Sequence, residues 1–324
     1  MRSCLFLFSF PPLGRAFAVL LAALCLAVPS RLSAAAADGQ RFESIDDAVK
    51  ALTEAVRNGD TNAIRIIFGP AGQELVSPDV VQAGAERTLF MNRVREKAET
   101  VRESDTKAIL HLGSDGWPFP IPLVKWEGRW FFETEAGAEE ILNRRIGMNE
   151  IGAIRVCRAY VEAQHEYYSQ DRNGDGVVEY AQKLRSGSGL RDGLYWPANP
   201  GEPLSPLGPL IAKARVEGYR HRNNTSIMTD GESSPYHGYY FKILTRQGKH
   251  APGGEYNYTI NGHMVAGFAL VAWPAEWGNS GVMTFLVNQN GKVYQRNLGA
   301  KTDDLASRIG SFNLGPEWTE AKEE

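Results

Sequence analysis

The sequence predicts an α+β protein in which two antiparallel sheets are separated by a long helix, and three observations point there. Apolar residues recur at spacings of three and four over residues 42–68 and again over 139–168, the period of helices with one buried stripe. Short β-rich runs replace that period over residues 107–133 and again from Tyr239 onward. Turn-forming residues punctuate both regions, most clearly the Asn290-Gly291 pair between two apolar runs.

The chain opens with basic Arg2 and Arg15, an apolar run over residues 16–28, then Pro29, Ser30 and small residues up to Ala37. Such an order is that of a secretory signal, whose apolar stretch enters the membrane and whose small side chains fit the signal peptidase. Cleavage is expected after Ala35 or Ala37, so residues 1–37 form the signal and the mature protein works in the periplasm or outside the cell. A retained anchor is the competing reading, since residues 5–10 are also apolar, but Pro11, Pro12, Gly14 and Arg15 interrupt that run. Leu24 stands before Cys25 where lipid attachment wants a small residue. No later stretch is long and apolar enough to cross a membrane, so no stable span is expected after cleavage.

The mature chain divides into a domain over residues 38–137, a second over 138–315 and a charged tail over 316–324. In the first, Ser44 precedes a helix carrying Ile45, Ala48, Val49, Leu52 and Val56, and Asn58-Gly59-Asp60 separates it from a second helix with Ile64 and Ile67. A third helix follows Pro78 and is expected to run through Arg93 to Glu99. Strands are then expected over 107–112, 119–126 and 129–133. The second domain begins with a helix over 139–168 that Gly147 and Gly152 weaken, leaving one helix or two. A Gly-, Pro- and Ser-rich stretch over 186–209 reads as a surface excursion rather than a linker, because Leu190, Leu194, Tyr195 and Trp196 need somewhere to bury. Strands follow over 239–245, 268–273, 282–287 and 292–295.

Charge and cysteines narrow the function. The leader holds three arginines and no acid, so its removal takes the formal net charge from −3 to about −6, which argues against a nucleic-acid partner. Cys157 is the one cysteine past the leader, and its apolar neighbours mark it as a buried small hydrophobe.

The sharpest local signal is Asp171-Arg172-Asn173-Gly174-Asp175-Gly176-Val177-Val178-Glu179. Oxygens of Asp171, Asn173, Asp175, the Val177 carbonyl and Glu179 at alternate positions can converge on a hard cation, and Gly176 permits the sharp turn, so a structural calcium is expected. The twelfth position is Gln182 where a bidentate carboxylate belongs, so a further acid must come from elsewhere. An Asx-rich turn without metal is the alternative. His237, flanked by Ser233, Ser234, Tyr236 and Tyr239, is a candidate proton-transfer group or the polar lead-in to a strand. Trp117, Trp126 and Trp130 lie on or beside strands and can line a ligand cleft, as can Tyr236 and Tyr239, although aromatics on a sheet also make ordinary core. Ser280 lacks the strand-turn-helix setting of a nucleophile. The histidines show no paired metal spacing.

Trp117-Pro118-Phe119-Pro120-Ile121-Pro122, Arg129-Trp130-Phe131-Phe132, Asn149-Glu150, residues 238–244 and Pro252-Gly253-Gly254 closely resemble the bacterial domain-of-unknown-function family 2950 over nearly the whole mature chain. The resemblance implies export and a shared architecture, with no catalytic residues to carry over. The helical hairpin with its Trp-rich strands also resembles the cone-shaped fold of the nuclear transport factor 2 type. The later helix, Asp171 loop and strands are similar to the globular head of type IV pilin-like proteins, although the membrane stem is missing. These likenesses lead to the expectation of a non-enzymatic envelope protein that binds another protein or a glycan. A periplasmic hydrolase with His237 as base and the cone-shaped domain as pocket is the alternative.

Overall fold

The computed structural model describes residues 39–74, 76–199, 201–202, 204–219 and 235–322. The expected signal over residues 1–37, with Cys25, lies outside them, as do His221, Ser233 and Ser234.

Helix α1 (Ile45–Asn58) starts where expected: Ser44 Oγ accepts the Asp47 amide at 3.0 Å, and Asp46 and Asp47 face the positive helix end. Gly59, at φ 66°, closes it in a left-handed turn that L side chains disfavour. Asp60 then caps α2 (Thr61–Phe68), and after α3 (Ala71–Glu74) Asp79 caps α4 (Val80–Glu96). The sequence pattern predicts this last helix as far as Glu99, whereas the chain leaves it after Glu96 and becomes β1 (Ala98–Ser104). Residues 99–104 of β1 are all exposed, so no apolar alternation marks the strand. It exists because β2 (Lys107–Leu112), with Ala108, Leu110 and Leu112 pointing into the core, offers its backbone edge.

The first sheet has the order β1-β2-β4-β5, where β4 is Leu123–Trp126 and β5 is Arg129–Phe132, and β3 (Trp117–Pro118) pairs with β2. Ala48, Leu52, Val56, Leu110 and Leu123 are fully buried between helices and sheet, each leucine contributing roughly 1.5–3 kcal/mol through burial.

Helix α5 (Thr134–Tyr168) is one continuous element of 35 residues. Its beginning packs Ile141 on the first core, and its end buries Cys157, Tyr160, Ala163 and Tyr167 in the second. The excursion after it contains a short helix, α6 (Gly208–Val216).

Strands β6 (Tyr239–Leu244), β7 (Arg246–Gln247), β8 (Tyr256–Asn257), β9 (Thr259–Ile260) and β10 (His263–Met264) come next. They are followed by β11 (Ala269–Pro274), β12 (Met283–Asn288), β13 (Val293–Asn297), α7 (Thr302–Ser307) and β14 (Thr319–Glu320). The second sheet is antiparallel throughout, in the order β14-β13-β12-β11-β6. Every residue of β11 is buried, because α5 and α7 both pack against this strand, which β12 and β6 flank. The protein is thus α+β, with helices and two five-stranded antiparallel sheets.

A polar seam joins α4 to the second core. Asp79, Gln82 and Glu86 fall at helical spacing on one face of α4. The buried Asp79 carboxylate accepts the Tyr219 hydroxyl at 2.7 Å and the Gly238 amide at 3.1 Å. Glu86 pairs with buried Arg145 of α5, whose Nη1 donates to Asn279 at 2.7 Å. Beside it, Glu150 Oε1 accepts the amides of Val282 and Met283 at 2.9 and 3.0 Å. Among the described residues no helix is long and apolar enough to cross a membrane.

Candidate metal centre

The loop after α5 is shaped by its own side chains. Asp171 Oδ1 accepts the Gly174 amide at 2.7 Å and Oδ2 the Gly176 amide at 2.9 Å. Gly174 and Gly176 have φ of 79° and 88°, so the chain can double back as residues with Cβ would not. The hydrogen bonds from Gly176 and Gly174 hold the Asp171 carboxyl below its usual range. Asn173 Oδ1 accepts the Asp175 amide at 3.3 Å, and Asp175 Oδ1 accepts the Val177 amide at 2.9 Å.

Beyond the loop, Glu179 turns inward and is only 9% exposed. One amide group spans both acids: Asn173 Nδ2 donates to Asp175 Oδ2 at 2.6 Å and to Glu179 Oε1 at 2.9 Å. Glu179 Oε2 accepts the Met264 amide at 3.0 Å. That bond brings in the β9–β10 hairpin, whose Asn261 and Gly262 take the left-handed conformations of a tight turn at φ 51° and 89°. His263, the residue after that turn, places Nδ1 at 3.6 Å from Asp175 Oδ2 and 3.5 Å from Glu179 Oε2.

Donor atoms of Asp175, Glu179 and His263 all lie within 4.8 Å of one another. They line a cavity of about 240 Å³ that Asn173, Lys183 and Asp192 also border. Gln182 does not face the acids as a ligand: its Nε2 donates to the Gly262 carbonyl at 2.6 Å, and the Tyr180 amide donates to the Met264 carbonyl at 2.7 Å. Both bonds fasten the hairpin to the loop. The group that the fold brings beside Asp175 and Glu179 is the His263 imidazole rather than the further acid the sequence leads one to expect, and no spacing around Asp171 points to it.

The other candidates sit apart from this centre. His237 and Gly238 are the middle pair of a tight turn closed by mutual hydrogen bonds between Tyr236 and Tyr239, which explains the φ of 47° at His237. His237 Nε2 lies 3.1 Å from Glu217 Oε2, and the Tyr236 hydroxyl donates to the same oxygen at 3.3 Å. Glu217 and Tyr219 follow α6 in a stretch whose sequence carries no clear period, so no local signal marks them. Tyr236 and Tyr239 are buried rather than displayed. Trp130 is core, with Arg102 and Lys125 over its ring; Trp117 lies beneath Arg93 and Arg144; Trp126 is exposed. Neither this cavity nor the groove of about 630 Å³ along α1 and β1 is lined by any of the three tryptophans. Ser280 is fully buried, its Oγ bonded within the turn to the backbone of Glu276.

No curated protein and no solved structure is similar to the chain. The family model described as protein of unknown function (DUF2950) matches residues 39–321. That stretch includes both sheets, α5, the loop and the hairpin, and the chain belongs to the DUF2950 family.

Proposed function

We propose that this protein is an exported, non-enzymatic module of the bacterial envelope that binds another protein or a glycan, with the Asp171–Glu179 loop held in shape by a divalent cation. The observation that carries the cation is the meeting of Asp175 and Glu179 with His263 across two elements. Two carboxylates facing each other, one of them buried, repel and lose hydration, and a dication offsets both costs. Taken alone, the alternating oxygens of Asp171, Asn173, Asp175, Val177 and Glu179 call for calcium, which exported proteins meet at up to millimolar levels. In this reading the first domain is a cone of the nuclear transport factor 2 type, and α5 with the second sheet is a pilin-like head without its stem.

Melting the chelator-treated mature protein with calcium, magnesium or zinc tests the cation. A higher melting temperature with at least one ion supports the reading, and identical melts with all three remove it. Recovery of one specific partner from envelope extracts supports the binding role, and repeated empty captures count against it. An uncut amino terminus on the purified protein overturns export by a cleaved signal.

A second reading, a periplasmic hydrolase, is favoured by the His237–Glu217 pair, since a carboxylate on one ring nitrogen orients an imidazole for proton transfer. Screening the wild type and His237→Ala on esters, peptides and muropeptides decides it, and equal inactivity ends it.

A further inference from the structure

We propose that Asp175, Glu179 and His263 form a binding site for a borderline transition-metal dication of the zinc class, with the His263 Nδ1 atom as its nitrogen ligand and a fourth position open to the cavity. The proposal rests on the cation reading above and replaces its choice of ion. Calcium and magnesium take oxygen donors, whereas imidazole nitrogen paired with carboxylate oxygen is a donor set for zinc and its neighbours. His263 comes from a hairpin more than eighty residues beyond the loop, so its place is not a by-product of the loop motif.

The two separations from the imidazole agree with a small ion, and all three donor atoms lie within 4.8 Å of one another. Four ligands at about 2.1 Å around a tetrahedral centre stand about 3.4 Å apart. The two separations from His263 Nδ1 are 3.6 Å to Asp175 and 3.5 Å to Glu179. The surroundings resemble an outer coordination shell: the Met264 amide, the Asn173 amide group and the Val177 amide each hold a carboxylate oxygen in position. A carboxylate oxygen can accept such a bond and still offer a lone pair to the ion. The Gln182 and Tyr180 bonds to the hairpin fix the backbone on either side of His263. Asp171 is not among the three residues whose donor atoms converge, and its two oxygens accept the amides of Gly174 and Gly176, so it shapes the loop. Three protein ligands and an open place leave room for water or a donor group from a partner.

The test uses the full mature protein, stripped of metal and titrated with zinc alone in competition with a chromophoric chelator, with about 1 mM calcium present. One equivalent of zinc is expected to bind, with His263→Ala weakening it by more than about tenfold. His250→Ala, at an exposed histidine outside the cluster, is expected to leave it unchanged. Cobalt in place of zinc is expected to give visible bands that His263→Ala alters, a signature that a loss of loop order elsewhere does not produce. Zinc binding unaffected by His263→Ala overturns the proposal. So does stabilisation by calcium alone, although the cation reading then stands. No effect of any divalent ion removes both.

Discussion

Gln82 of α4 and Asn149 of α5 hold each other by their side-chain amides, with Gln82 Nε2 donating to Asn149 Oδ1 at 2.9 Å and Asn149 Nδ2 donating back to Gln82 Oε1 at 3.4 Å. Asn149 Nδ2 also donates to the Ser280 carbonyl at 2.9 Å, so one buried side chain ties α4, α5 and the turn before β12 together. Replacing Asn149 by Ala leaves the Ser280 carbonyl and the Gln82 amide without this partner in a buried setting. The expected loss is about 1–3 kcal/mol. Urea denaturation checks it, and an unchanged midpoint contradicts the role given to the pair.

Two glycines of α5 are expected to respond oppositely to alanine. At Gly137 a Cβ would meet the Ile121 backbone at 2.8–2.9 Å, so Gly137→Ala forces α5 away from the first sheet at a cost of about 1–3 kcal/mol. Around Gly147 nothing lies within 4 Å. Gly147→Ala therefore removes only unfolded-state freedom and is expected to stabilise by about 0.5–1 kcal/mol. Parallel denaturation of the two variants gives the comparison.

Alkaline pH is expected to unfold the protein through its tyrosines. Burial first, and nearby acids second, push the hydroxyls of Tyr219, Tyr236 and Tyr239 above their ordinary value of 10.0, the acids being Asp79, Glu217 and Glu150 respectively. Burial likewise pushes the Cys157 thiol up to about 12. A folded value raised above the unfolded one gives stability that is complete below the unfolded value and lost as pH climbs past it. Denaturation midpoints should stay level up to about pH 9 on this account and fall above about pH 10. Phenolate absorbance should lag behind that of free tyrosine until the chain unfolds.

At the loop, Asp171→Ala removes the acceptor for Gly174 and Gly176. Those two amides are expected to exchange with deuterium faster, while the core amides of β11 keep their protection. Unchanged exchange at both glycines would show that the backbone holds its shape without the carboxylate. In the wild type the same contact is complete above the ordinary carboxylate value of 3.8 and weakens as pH falls through the lowered folded value.

Helices α1, α2 and α5, strands β2, β6, β11, β12 and β13, and the turn at Asn290-Gly291 were legible in the sequence, because each has its period or turn signal within a few consecutive residues. The family was legible for a related reason: its motifs are short and contiguous. So was the loop that supplies Asp175 and Glu179. Strand β1 was not, since an edge strand exposed on both faces has no apolar alternation and forms only against its neighbour. His263 was missed as well. Its sequence neighbours say nothing about acids more than eighty residues away, and only the docking of the β9–β10 hairpin through Met264, Gln182 and Tyr180 brings the imidazole to the carboxylates. Local pattern determined which elements form and which loop carries the acids. Which elements meet, and hence the donor set at the centre, was decided by tertiary packing, because contacts between distant segments follow from the shared burial of the whole chain.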